Sequence, residues 1–166
     1  MVNVKQAALS TIAAYHLATQ KGGNASVPLS DVASSLSSFY LPNFTSFTLG
    51  VATRLPDDPV PGVLQQLQLY EKSGVGTDIR PERRKGATRV DVVSNESAIC
   101  FVSFEIFPRA GSGLAPWGWT NMYGFRMQKG RKNGLDGGWE FTNADQEYQQ
   151  LLKRVPDFFT GGRVGQ

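Results

Sequence analysis

The stretch WGWTNMYGFRMQ, residues 117–128, places Trp117, Trp119, Asn121, Tyr123 and Phe125 on alternate positions with smaller or polar residues between them. A period of two puts these side chains on one face of a β-strand, and rings of this size make that face the concave side of a twisted antiparallel sheet. An asparagine and a tyrosine hydroxyl set among indole and phenyl rings point to more than a plain core. Polar atoms in an apolar wall cost stability unless they are paired or used, and a pocket for a small molecule uses them. The loop over residues 129–137 then leads to a second strand that carries Trp139.

Working outward, strands are expected over residues 77–80, 87–93, 98–107, 117–128 and 138–143, separated by turn formers such as Asn95, Gly111 and Gly113. Helices are expected upstream. Ala7, Ala8, Ile12 and Tyr15 recur at helical spacing from Val4 to about Gln20, and Gly22-Gly23 supplies a stop. A second helix is read from a cap at Ser30 or Asp31, with Val32, Leu36 and Phe39 on one side and Pro42 ending it. A short strand over residues 44–49 follows. Pro61 then enters a third, amphipathic helix over residues 61–72, which carries Val63, Leu64, Leu67 and Tyr70. A last helix spans residues 145–154. Helices first and a strand meander afterwards make an α+β fold: a curved antiparallel sheet covered on one face by helices. One domain is expected over residues 1–158, with a flexible tail over 159–166.

A chain of 166 residues with 40% hydrophobic content holds one domain with a substantial core. The net charge of +3 comes with basic residues gathered in two loops, 80–89 and 126–131, and not along a helix, so they read as solvated connections and not as a nucleic-acid surface. Cys100 lies in the apolar run 98–104 and reads as a small buried hydrophobe with no partner for an internal disulfide. No run approaches the length of a membrane span and no charged start precedes an apolar segment, which leads to the expectation of a cytoplasmic protein. One Cys and one His do not make the usual zinc sets, and no glycine fingerprint for nucleotides stands out, so neither a metal nor a cofactor is expected. Glu105 interrupts the apolar run 99–107 and reads either as a buried acid of raised pKa or as an outward residue on a half-wet strand.

The order and spacing of several pieces carry a family resemblance. These are the first helix with Tyr15 ahead of Gly22-Gly23, the Phe39-Tyr40-Leu41-Pro42 exit from the second helix, the strand Arg89-Val90-Asp91-Val92-Val93, and Gly138-Trp139-Glu140-Phe141. Over residues 4–158 the chain resembles the nuclear transport factor 2-like superfamily, particularly its SnoaL-like branch. The resemblance implies a cone of curved sheet and three helices around an internal cavity. That superfamily holds isomerases, dehydratases, cyclases and epoxide hydrolases beside noncatalytic modules, so the cavity residues must decide the function.

Measured against members of limonene epoxide hydrolase type, the chain has the Arg-x-Asp at Arg89 and Asp91, but the second acid falls near Glu140 or Phe141. At strand spacing Arg89 and Asp91 share a face, so Arg89 can hold Asp91 ionised, or the two form a rim ion pair. Against ketosteroid isomerase-like members, Tyr15 matches the helix tyrosine, while the base position lies close to Phe47, which moves no proton. Against scytalone dehydratase-like members, which need histidines in the cavity, the chain offers His16 alone, about 100° around the helix from Tyr15.

The function expected is therefore acid/base-assisted isomerisation, cyclisation or dehydration of a hydrophobic, oxygenated polyketide- or terpenoid-like molecule, without a cofactor. Asp91, Arg89, Tyr15 and His16 are the catalytic candidates; Tyr40, Phe47, Trp117, Trp119, Asn121, Tyr123 and Trp139 are the binding candidates. An epoxide hydrolase or a noncatalytic module that binds a ligand or dimerises through the sheet is the alternative. Neither a nucleic acid nor a membrane is expected as a partner.

Overall fold

A computed structural model describes residues 1–84 and 86–165. Asn3 opens the first helix with a capping box: its side chain accepts from the Gln6 N–H at 2.9 Å, and the Gln6 side chain accepts from the Asn3 N–H at 3.3 Å. Helix α1, Val4–Gln20, presses Ala7, Ala8, Ile12 and Tyr15 into the core. Helix α2, Leu29–Ser37, begins just before the expected Ser30 or Asp31 cap. Pro28 precedes it without a side-chain cap, and Asp31 sits in its first turn, where a negative charge complements the helix dipole. Helix α3, Val60–Ser73, is entered through proline and closed by Gly74 at φ 83°, a left-handed conformation that glycine adopts at no steric cost.

The strands are β1 (Tyr40–Thr48), β2 (Val51–Arg54), β3 (Ile79–Pro81), β4 (Arg89–Val92), β5 (Ser97–Ile106), β6 (Trp117–Met127) and β7 (Gly137–Asn143), and helix α4 (Asp145–Leu152) follows. They form one seven-stranded sheet in the order β2-β1-β7-β6-β5-β3, with β4 also paired to β5. The α+β class holds, but the sheet is mixed and not antiparallel throughout: β1 runs parallel to β7, with Thr45 opposite Phe141 and Phe47 opposite Asn143. A parallel pair needs a long crossover, and nearly the whole chain between the two strands supplies it.

The strand expected over residues 44–49 is longer and has a partner that the sequence reading missed. β1 starts at Tyr40, and β2 turns back onto it through Leu49 at φ 48° and Gly50 at φ 85°. Two consecutive positive φ values make the tight hairpin turn that matches strand twist. Pro42 ends no helix here; α2 stops at Ser37 and Pro42 lies inside β1. The proline is tolerated because β1 and β7 lose register between Tyr40 and Thr45, around Asn43 at φ 67°.

The aromatic part of the core is built on Trp139, which is fully buried. Tyr15 meets it edge-on at 5.7 Å between ring centroids, and Tyr123 packs at 4.9 Å. Edge-to-face pairs of this kind add stabilisation beyond the area they bury. Gly124 of β6 has no room for a Cβ, because the Phe141 ring of β7 lies across it.

Residues 159–165 lie beside the C-terminal end of α3: the Arg163 side chain donates to the Lys72 carbonyl at 3.2 Å and the Val164 N–H to the Ser73 carbonyl at 2.8 Å. Gln166, also part of the expected tail, lies outside the described residues. Among the described residues no helix is long and apolar enough to cross a membrane.

Candidate functional site

The inner face of β6 changes character along its length. Phe125 is in the core with Trp139, whereas Tyr123, Asn121 and Trp119 line a cavity of about 760 Å³ under the helices. Its walls are mainly apolar, with Val32 and Leu36 from α2, Phe44 from β1, Leu67 from α3 and Phe104 from β5. Leu49 and Val51 of the β1–β2 hairpin, together with Phe159, line it as well while staying exposed at the surface. The Leu49 N–H donates to Asp145 Oδ1 at 2.6 Å, which ties that hairpin to the start of α4.

One carboxylate reaches into this space. Glu147 on α4 lines the cavity, and its oxygens are held by two neighbours: Asn121 Nδ2 donates to Oε1 at 2.8 Å and the Tyr70 hydroxyl donates to Oε2 at 2.9 Å. The Tyr148 hydroxyl, which accepts from Gln66 Nε2, lies close to the same carboxyl. The Trp119 indole N–H faces it too without reaching hydrogen-bond geometry. Glu147 keeps some accessible surface because it borders the cavity, yet its carboxyl is surrounded by protein. Burial pushes its pKa up, and the hydrogen bonds from Asn121 and Tyr70 pull back against that rise. The result is an acid that holds its proton to higher pH than an exposed glutamate.

A second polar group is formed by tyrosines. The hydroxyls of Tyr15 on α1 and Tyr40 on β1 are 3.2 Å apart. Two hydroxyls joined by one hydrogen bond leave one O–H uncommitted, a donor for an oxygen in the cavity. Burial raises Tyr15 well above the ordinary tyrosine range and Tyr40 to about 12, so both stay protonated near neutral pH. The charge of Glu147 adds to the rise at Tyr40, so the two polar groups share one field. Among the described residues that line the cavity, Glu147 is the only acid, and none is Lys, Arg or His.

Of the residues singled out from the sequence, the structure places Tyr15, Tyr40, Trp119, Asn121 and Tyr123 along this one cavity. The remaining candidates fall elsewhere. Arg89 and Asp91 lie on β4, which pairs only with β5, and they form a solvent-facing ion pair at 3.3 Å with side chains 62% and 55% exposed. Arg89 also covers the Phe101 ring at 4.1 Å, so the pair belongs to the outer surface and not to the cavity. His16 points away from the cavity, as its helical offset from Tyr15 dictates, and packs on Phe104 with ring centroids 5.1 Å apart. Burial lowers it to about 4, which leaves it neutral near pH 7. Phe47 is exposed, Trp117 lies under the Arg154 guanidinium, and Trp139 is pure core. Glu105 is half-exposed, opposite Arg80 of β3.

Glu147 and Tyr70 are the residues that sequence reasoning missed. A signal was present for the acid: Glu147 precedes Leu151 by four residues, so a carboxylate shares the helix face that buries Leu151 in α4.

No family model matches the chain, and no curated protein matches its sequence. Solved structures do match. An NTF-2 like protein of unknown function from Shewanella oneidensis aligns at TM-score 0.55 with 8% identity, over 82% of this chain and 94% of its own. A ketosteroid isomerase-like protein from Erwinia carotovora atroseptica aligns at 0.54 with 15% identity, over 81% and 89%. The CaMKII hub of S. rosetta aligns at 0.57 with 12% identity, over 86% and 96%. At such identities the likeness speaks for the fold alone: this chain has the NTF2-like cone that its sequence pattern resembles.

Proposed function

We propose that the cavity binds an apolar, oxygenated small molecule and that Glu147 moves a proton on it, the step common to isomerisation, cyclisation and dehydration. The observation that carries this reading is a carboxyl of raised pKa on the wall of a largely apolar cavity, beside uncommitted tyrosine hydroxyl capacity. A base works best when its pKa lies near the working pH, and burial moves Glu147 in that direction. Ionised Glu147 takes a proton from carbon next to a substrate carbonyl; the C–H electron pair moves onto the carbonyl oxygen. The Tyr15 and Tyr40 pair donates to the resulting oxyanion, against largely apolar walls where such a bond is worth more than in bulk water. Glu147 then returns the proton to a different carbon. Asn121 and Tyr70 keep the carboxyl in one orientation through both transfers.

The test uses enolisable apolar ketones such as tetralone in deuterium oxide, with deuterium uptake beside the carbonyl read by mass spectrometry. The wild-type protein is expected to accelerate uptake over buffer. Equal uptake with and without the protein across the panel defeats the reading.

A further inference from the structure

The partners that hold the Glu147 carboxyl are both neutral: Asn121 Nδ2 donates to Oε1 at 2.8 Å and the Tyr70 hydroxyl to Oε2 at 2.9 Å. A carboxylate offers about four lone-pair sites, so one bond on each oxygen leaves each able to accept another. The carboxylate also has no counter-ion among the described residues that line the cavity, which is the costly state for a charge held away from water. A ligand that brings a positive charge removes that cost. The wall suits such a ligand, because Tyr15 of α1, Phe44 of β1, Tyr70 of α3, Phe104 of β5 and Trp119 and Tyr123 of β6 line the same space, and aromatic rings attract a cation through their quadrupole. No described lysine, arginine or histidine of the lining repels a cation, whereas an anion meets Glu147 with no basic residue to offset the repulsion.

We infer that the cavity is a site for an ammonium group carried on an apolar body, with Glu147 as its counter-ion and the aromatic wall around it. The inference rests on the reading of this cavity as a ligand site and goes beyond it in naming a charged ligand class. The ammonium N–H groups donate to the remaining lone pairs of Oε1 and Oε2, so the amine occupies the carboxylate that the proposed proton transfer uses. Such amines are therefore competitive inhibitors of that transfer and not its substrates. Pairing with a positive charge also favours the ionised carboxyl, against the rise that burial causes, so binding releases the proton that Glu147 holds. The titratable groups that face Glu147 are Tyr70 from α3, Tyr148 beside it on α4, Tyr40 from β1 and Tyr123 from β6, and burial keeps all of them protonated.

The test compares binding of naphthylmethylammonium, naphthylmethanol and naphthoate at neutral pH by calorimetry. The cavity of about 760 Å³ has room for all three, so size does not decide the order. The ammonium is expected to bind about tenfold or more tightly than the alcohol, the factor that a charge-assisted hydrogen bond supplies, with naphthoate the weakest. In Glu147→Gln the preference for the ammonium over the alcohol is expected to vanish. Should that variant fail to fold, the wild type at about pH 5 serves instead, in buffers of different ionisation heat: the ammonium is expected to release a proton on binding and the alcohol none. Equal binding of the ammonium and the alcohol, or tightest binding by naphthoate, overturns the ammonium class while leaving the cavity as a ligand site. A preference that survives in Glu147→Gln, or ammonium binding without proton release, overturns Glu147 as the counter-ion. Binding of none of the three removes the cavity itself as a ligand site, and the inference falls with it. Deuterium uptake judges the proton transfer separately, so ammonium binding without uptake leaves this inference standing when that reading has fallen.

Discussion

Asp91 and Glu147 are both acids with a close hydrogen-bonding partner, and they differ in almost everything that decides reactivity. Asp91 lies on a short strand at the outer surface with Arg89 at 3.3 Å, and both side chains are more than half exposed. Glu147 lies on a helix over the concave face, held by uncharged donors inside a cavity. Water surrounds the first pair and screens its attraction. Neutral donors and burial leave the second acid without a counter-ion, so its proton becomes harder to remove. A short sequence spacing such as Arg-x-Asp makes an ion pair visible, but only the fold decides whether a carboxyl is dry.

The largest effect that would break this comparison is on proton transfer. Glu147→Gln keeps the shape and can still accept from Asn121, but it cannot move a proton. Deuterium uptake by tetralone is expected to fall by about 100-fold or more, in line with the usual contribution of general acid/base catalysis. Asp91→Asn is expected to leave the rate unchanged. A reversed pattern would return the chemistry to the outer strand.

The legibility of these two acids differs for physical reasons. Alternation along Trp117–Met127 identifies the concave face, and helical spacing places Tyr15 toward it, because both depend on local periodicity alone. Tyr40 lines the cavity from the start of β1 and not from a helix exit, since Pro42 reads as a helix terminator unless the irregular register around Asn43 is known. The parallel β1–β7 pair is invisible locally because its strands come from opposite ends of the domain. Glu147 required knowledge that α4 packs across β6, so that the acid meets Asn121 twenty-six positions earlier in the chain. The exposed position of β4 likewise depends on pairing with β5 alone.

A smaller effect sharpens the contrast through the donors. Tyr70→Phe removes the hydroxyl that donates to Glu147 Oε2 at 2.9 Å. That bond favours the ionised form, so its loss is expected to raise the carboxyl's pKa further and move the midpoint of the pH–rate profile upward. The maximal rate is expected to change by about tenfold or less, since one hydrogen bond to a charged group contributes about 1.5–3 kcal/mol and part of it is shared with the ground state.

Stability against pH separates the two acids again. A carboxyl whose folded-state pKa lies above its unfolded value contributes stability that is complete below the unfolded value and is lost as pH rises through the folded one. For Glu147 the shift is upward, so wild-type protein is expected to lose stability relative to Glu147→Gln as pH climbs from the ordinary glutamate range. Melting scans of both proteins from about pH 4 to about pH 8 are expected to show the variant's advantage growing with pH. A gap that is constant across that range would mean that the Glu147 carboxyl is as well hydrated as an exposed one.

The smallest effect is expected at the surface pair, and a near-zero result there is informative. Arg89 and Asp91 are exposed and screened, and their attraction is offset by the side-chain entropy of holding one geometry. Asp91→Asn is expected to change unfolding free energy by no more than about 0.5 kcal/mol, and added salt is expected to reduce even that. Arg89→Ala should cost somewhat more than the loss of charge alone, because the guanidinium also covers the Phe101 ring at 4.1 Å. If denaturant titration instead shows Asp91→Asn costing several kcal/mol, the pair is buried in solution by something that covers β4. The difference between the two acids would then be one of assembly and not of fold.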